Sequence, residues 1–144
     1  MTLMHILQLV PSLDVGGVER GVVDLAKGLI SRGHRVTVVS SGGKLVETLV
    51  RVGAVHEPLP IHRKTPMMVR PVLDALCRLI QQQRVDVIHA RSRMPAWMGY
   101  LAARRTQKPF VTTCHGFYRP HLASRVMTWG RLIIVPSEAL GRYL

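Results

Sequence analysis

The stretch from Met4 to Gly33 constrains this chain more than any other. His5 to Val10 is a short apolar run closed by Pro11, which is the pattern of a central parallel strand. Asp14-Val15-Gly16-Gly17-Val18-Glu19 follows. The two adjacent glycines predict a turn whose backbone takes positive φ and comes close to a ligand. From Val18 the apolar residues Val22, Leu25, Ala26, Leu29 and Ile30 fall on one helical face. Glu19 and Asp24 lie early in that helix, and Arg32-Gly33 predicts a cationic last turn with a glycine stop. A strand that enters a helix through glycines turns free N–H groups toward the mouth of a sheet, a good place for phosphate. A tight connector with no ligand has the same sequence pattern and is the competing reading.

The rest of the chain repeats the strand–helix alternation. Arg35–Ser40 is a second strand. Ser40–Lys44 lacks the spacing of a Walker motif and reads as a strand-to-helix loop. A short helix over Leu45–Val52 stops at Gly53, and Ala54–Leu59 is a third strand placed at an edge by Pro58 and Pro60. Ile61–Arg70 reads as a loop carrying His62, Arg63, Lys64 and Arg70, either a solvated connector or a flexible patch for an acceptor or lipid headgroups. A helix over Pro71–Arg84 should turn Leu73, Leu76, Cys77 and Ile80 inward. Val85–His89 is the fourth strand. The next helix, with Pro95 in its first turn, runs to about Arg105 with Met98, Leu101 and Ala102 inward. Phe110–Cys114 is the fifth strand, Arg119–Gly130 a mobile or partly helical segment, and Leu132–Val135 the sixth strand. Ser137 is placed to cap the final helix. This order predicts one domain over residues 1–144: a Rossmann-like three-layer α/β/α sandwich with a mostly parallel sheet of about six strands. Ligands of such a sheet bind beyond the carboxyl ends of its strands.

Charge narrows the partners. Lysine and arginine number 20 against 8 acidic residues, a formal net charge of +12 in 144 residues, which favours anionic partners. Nucleic acid is one class, but no helix-turn-helix, zinc finger or aromatic RNA platform is visible. An anionic membrane surface is another. Cys77 and Cys114 belong to no C-x-x-C pair and read as reduced residues of a cytoplasmic protein with no metal site expected. No apolar run reaches the length of a membrane span, and the N-terminus reads as a strand rather than a secretory signal.

Pro11-Ser12-Leu13 after the first strand, Gly16-Gly17-Val18-Glu19-Arg20 opening the helix, and Arg32 to Val39 closing it into a second strand carry a family likeness. This pattern resembles the N-terminal domain of glycosyltransferase family 4, which has the two-domain GT-B architecture. The resemblance implies the acceptor-binding half of a retaining glycosyltransferase. Such an enzyme moves a sugar from a nucleotide-sugar to a glycan or lipid acceptor, at or near the inner membrane face. The donor would be held mainly by a second domain of roughly another 150–200 residues, and the 144-residue chain by itself would be inactive. Gly16 and Gly17 would lie against the donor diphosphate. His115, after the fifth strand and before Gly116, would lie at the catalytic centre, positioning and polarising rather than abstracting a proton. Arg91 and Arg93 could grip an acceptor phosphate, with Gly116 beside them, or simply belong to a solvated loop. Glu19 and Ser137 need no role beyond the starts of their helices, and His89 reads as a packed end to its strand. No cofactor is implied beyond the nucleotide-sugar substrate. The Asp-x-Asp of metal-dependent glycosyltransferases is missing, so metal independence is expected. One reading of a different class stays open: a non-catalytic basic α/β module that binds anions or nucleic acid.

Overall fold

β1 (His5–Leu9) is buried along its whole length, as its apolar run predicts, and every other element is placed around it. The structure is a computed structural model that describes residues 2–119 and 121–144. Six parallel strands form one sheet in the order β3-β2-β1-β4-β5-β6. β2 is Arg35–Ser40, β3 Val55–Pro58, β4 Val87–Ala90, β5 Phe110–Thr113 and β6 Leu132–Ile134. α1 (Gly17–Ser31) and α2 (Val46–Arg51) cover one face. There Val22, Val23, Ala26 and Leu49 pack on Val10, Val36 and Val38. α3 (Pro66–Gln82), α4 (Arg93–Thr106) and a 3-10 helix (Leu122–Thr128) cover the other face. Leu73, Leu76, Met98 and Met127 pack there with Leu7, Leu9 and Ile88. α5 is Glu138–Tyr143, and the Ser137 hydroxyl accepts the Leu140 N–H at its start, as predicted. The result is the expected three-layer Rossmann-like fold with β3 at an edge.

Several local expectations are corrected. Gly16 has φ −168° and ψ 171°, ordinary extended backbone, and Gly17 is not in the positive-φ region either. The positive φ lies instead at Gly42 and Gly43, with φ +103° and +146°. Gly43 needs its missing side chain twice over, because a Cβ there would also sit 2.6 Å from the Leu13 carbonyl oxygen. That close approach is a brace: the Leu13 N–H donates to the Gly42 carbonyl at 2.8 Å, and the Leu45 N–H donates to the Leu13 carbonyl at 2.8 Å. The Ser41 hydroxyl adds a bond to the Pro11 carbonyl at 2.8 Å. The second loop therefore holds the first in place.

The helix predicted from Pro71 begins five residues earlier, at Pro66, with Pro71 inside it. Thr65 is the extended residue before the first turn, and a proline at N1 loses no helical bond. Ile61 is fully buried, so the Ile61–Arg70 segment is anchored rather than a free loop. Leu101 faces solvent, 37% exposed, because the inner side of α4 is filled by Ala96, Met98, Ala102 and Ala103. α1 has no basic residue in its last turn; Arg32 is its C-cap and Gly33, at φ +90°, ends it. The segment predicted as mobile or partly helical over 119–130 contains the 3-10 helix, which buries Val126 and Met127. Pro120 of that segment lies outside the described residues. Among the described residues no helix is long and apolar enough to cross a membrane.

Candidate functional site

β1 and β4 are neighbours, yet their following helices lie on opposite faces of the sheet. The loops after them therefore part and leave a crevice at the carboxyl ends of the strands. α1 starts there without a side-chain cap at Gly16, and α4 starts there without one at Ser92. The first N–H groups of both helices thus lack a capping side chain, and the positive ends of two helix dipoles face the crevice.

Side-chain alternation sets what the sheet presents to this crevice. In β1, Leu7 and Leu9 point to the α3–α4 layer while Gln8 points to α1, where its Nε2 donates to the Val22 carbonyl at 3.2 Å. In β4 and β5 the same alternation sends Ile88, Ala90 and Cys114 to the apolar layer. It leaves His89, Arg91, Thr113 and His115 on the α1 side, where α1 reaches only part of the way across. His89 Nε2 and the Thr113 hydroxyl are hydrogen-bonded at 2.7 Å. Burial, reinforced by Arg91 and then His115, pushes the His89 imidazole down to about 4, so it is neutral at ordinary pH.

Arg91 decides the character of the site. It is only 8% exposed. Its Nη1 donates to Gln8 Oε1 across a long 3.4 Å, and its Nε has no partner. It joins none of the ion pairs among the described residues. Burial lowers its guanidinium from the ordinary value, but an arginine stays charged. A glycine on α1 makes room for it: a Cβ on Gly21 would lie 2.8 Å from Arg91 Nη2. A buried cation without a counter-ion is costly, and an anion entering the crevice would offset that cost.

His115 lies beside it, half-buried, with Nε2 enclosed and unpartnered. Burial and then the Arg91 charge lower its pKa, while Glu19 acts the other way. The Ser92 hydroxyl is likewise enclosed without a partner. Gly17 sits at the first position of α1, and a Cβ there would meet nothing within 4 Å. Packing within the chain thus does not require a glycine at 17. Gly116 is open in the same way. Glu19 folds back over Gly16, so a Cβ at Gly16 would strike its carboxylate.

The structure brings Gly16, Gly17, Arg91 and His115 to one crevice and separates Arg93 from it. Arg93 is exposed, with its guanidinium carbon 5.5 Å from the centre of the Tyr118 ring. Arg91 and Arg93 therefore do not form one grip. The sequence reading missed Gln8 and Gly21, whose importance comes from Arg91, which is remote from both in sequence. The residue-type signal for Gln8, a polar side chain in the middle of a buried, mostly apolar strand, was present in the sequence. Among the described residues no three His, Cys, Asp or Glu side chains gather in a metal-binding arrangement.

Comparison with curated protein sequences gives no match. Among solved structures, a glycosyltransferase from Rickettsia africae ESF-5 superposes with TM-score 0.87 at 33% identity, over 100% of this chain and 39% of that one. Anabaena HepE in complex with UDP-glucose gives 0.77 at 21% identity, over 97% and 39%. MurG of Acinetobacter baumannii gives 0.73 at 17%, over 92% and 41%. The last two show likeness of fold alone. The chain spans about two-fifths of the length of these structures. The family model for Glycosyltransferase Family 4 matches residues 15–144, which include the α1 start, Arg91 and His115. That match, together with the superposition on a solved glycosyltransferase, makes the chain a member of Glycosyltransferase Family 4, corresponding to its N-terminal domain.

Proposed function

We propose that this chain is the acceptor-side half of a retaining glycosyltransferase that moves a sugar, of the hexose type, from a nucleotide-sugar to a glycan or lipid acceptor. The observation that carries the reading is the buried, unpaired Arg91 beside the enclosed Nε2 of His115 and the open α1 start. Breaking the bond between the sugar and its diphosphate leaves negative charge on the diphosphate. Fixed donors already aimed at that charge lower the barrier. The N–H groups around Gly16 and Gly17 and the Arg91 guanidinium supply such donors. HepE was solved with UDP-glucose, which supports a nucleotide-sugar donor here. His115, neutral by burial, acts as a hydrogen-bond partner that orients the reacting sugar and the acceptor hydroxyl, and Gly116 leaves space beside it.

His115→Ala in an enzyme carrying both halves is expected to lower the single-turnover rate by roughly 10–100-fold, with donor affinity nearly unchanged. Its fold should hold, since a half-buried ring with no partner at Nε2 contributes little to the core. The assay is nucleotide-sugar affinity beside single-turnover transfer. Parent-rate transfer by the variant would make His115 a structural residue. In the same assay the isolated chain is expected to transfer no sugar, because an open half-cleft cannot align donor and acceptor.

The enzyme also docks on the cytoplasmic face of an anionic membrane, through the solvent side of α3 and α4. Arg70, Arg78 and Arg104 are exposed there, and the acidic Asp74 is paired with Arg105 at 2.9 Å. Sedimentation with anionic vesicles should fall steeply as salt rises. Equal sedimentation with neutral vesicles would remove the electrostatic account.

A further inference from the structure

The brace between the first two loops has a support of its own. Ser40 ends β2 and is fully buried. Its hydroxyl lies 2.7 Å from His56 Nε2 and accepts the Gly42 N–H at 3.0 Å. The Gly42 carbonyl in turn accepts the Leu13 N–H at 2.8 Å. Only Asp14, Val15 and Gly16 separate Leu13 from Gly17, the first residue of α1. A line of hydrogen bonds thus runs from the edge strand β3, through the end of β2, to the loop that opens α1. The Ser40 carbonyl fixes the end of β3 as well, by accepting the Leu59 N–H at 3.0 Å.

The protons in this line can be placed. A serine hydroxyl has a single proton. Ser40 Oγ already accepts from Gly42, and among the described residues the acceptor in its reach is His56 Nε2. The hydroxyl therefore donates to Nε2, and the imidazole is neutral with its proton on Nδ1. Burial, the first influence on His56, holds its pKa below the ordinary value while Glu57 opposes it, in keeping with a neutral ring. Packing alone gives no reason for this pair. Val36 and Val38, the preceding residues on the same face of β2, are apolar and buried. An apolar residue at 40 would continue their layer with no polar group to satisfy. What Ser40 and His56 supply instead is a fixed direction for the Gly42 N–H. Gly42 and Gly43 both adopt positive φ, and a pair of glycines has no side chains of its own to hold it there.

We propose that Ser40 and His56 are positioning residues for the donor diphosphate: by fixing Gly42 they hold Leu13, and through it the Gly16–Gly17 start of α1, where its N–H groups meet the ligand. The inference rests on the donor role proposed above for Gly16 and Gly17. Both residues act through the backbone of the two loops, so they set how well the site is formed before the donor arrives. Their loss therefore weakens donor binding and leaves the transfer step, once the donor is bound, nearly as it was.

Backbone NMR relaxation of the ligand-free chain reads the support, and donor kinetics of an enzyme carrying both halves read its use. Ser40→Ala and His56→Leu should lower the amide order parameters of Leu13, Gly16 and Gly42 and leave that of Ile88 in β4 unchanged. In the enzyme, Ser40→Ala should raise the donor KM about fivefold, the loss of roughly one hydrogen bond, with kcat within about twofold of the parent. His56→Gln keeps an acceptor for the Ser40 hydroxyl and should restore both readouts. A pair that only stabilises the fold would lower the unfolding midpoint of the variants and move neither. Parent-like order parameters in both Ser40→Ala and His56→Leu overturn the support. Lowered order parameters with a parent donor KM overturn the positioning role, and Gly17→Val then separates the causes, since the chain has room for its side chain. If Gly17→Val raises the donor KM while Ser40→Ala does not, the positioning inference alone is wrong. If neither does, the donor role of the α1 start is wrong and the inference falls with it.

Discussion

Arg91→Met is expected to lower transfer by an enzyme carrying both halves at least ~100-fold while making the ligand-free chain more stable by about 1–2 kcal/mol. The two effects share one cause. The guanidinium is buried, its Nε is unpartnered, and its hydrogen bond to Gln8 is long. Desolvation of the charge is therefore not offset within the chain, and an apolar side chain of similar length removes that cost. Methionine is flexible enough to fill the space that Gly21 leaves on α1. The same replacement takes away the buried cation that the proposed function sets against the diphosphate. Urea unfolding of the chain and transfer kinetics of the enzyme together read both effects. A variant that is less stable and fully active would show that Arg91 is a structural residue and that the crevice is not built around an anion. Arg91→Lys separates charge from geometry: it keeps the charge and loses the planar fork, so intermediate activity is expected.

The layers of the fold were legible because buried parallel strands and one-sided helices leave strong periodic signals. β2 was read to the residue, Arg35–Ser40, since its apolar run is bounded on both sides by turn residues. The start of α3 was misread because Pro66 and Pro71 both satisfy the rule for a first helical turn. The choice between them lies in Thr65, whose extended backbone no local pattern announces. The 3-10 helix was obscure for a related reason. It carries no 3.6-residue repeat and is fixed by distant bonds, such as the Thr112 hydroxyl to the Met127 carbonyl at 2.6 Å. The glycine pair of the first loop was found, but positive φ was assigned to the wrong glycines. Gly42 and Gly43 adopt it because they brace Leu13 from another loop. His115 was singled out by its place after the fifth strand together with the family likeness. The burial of Arg91 was not, because it depends on Gln8 and Gly21, which are remote in sequence. Spacing alone could not tell that Arg91 follows β4 as a buried residue while Arg93 already begins α4 as an exposed one.

Acidification should destabilise the fold through His89. Its pKa in the folded chain is about 4, against 6.5 for the ordinary imidazole. Burial is the first cause, and the neighbouring Arg91 and His115 follow. A lowered folded value means that the unfolded chain binds the proton more readily. The stabilisation is therefore whole above pH 6.5 and is lost as pH falls toward 4. The difference of about 2.5 pH units corresponds to about 3 kcal/mol, a large part of the stability of an ordinary domain. His5, His56 and His115 are lowered too, each by burial first, so their contributions run in the same direction. The measurement is urea unfolding at pH 7.5 and at pH 4, on the parent chain and on His89→Gln. Glutamine keeps a hydrogen-bonding partner for the Thr113 hydroxyl and does not titrate. The parent should lose at least about 3 kcal/mol between the two conditions, and His89→Gln about 3 kcal/mol less than the parent. If both lose the same amount, His89 is protonated without penalty in the folded chain. The β4–β5 end of the crevice would then be more open to water than its 4% exposure indicates.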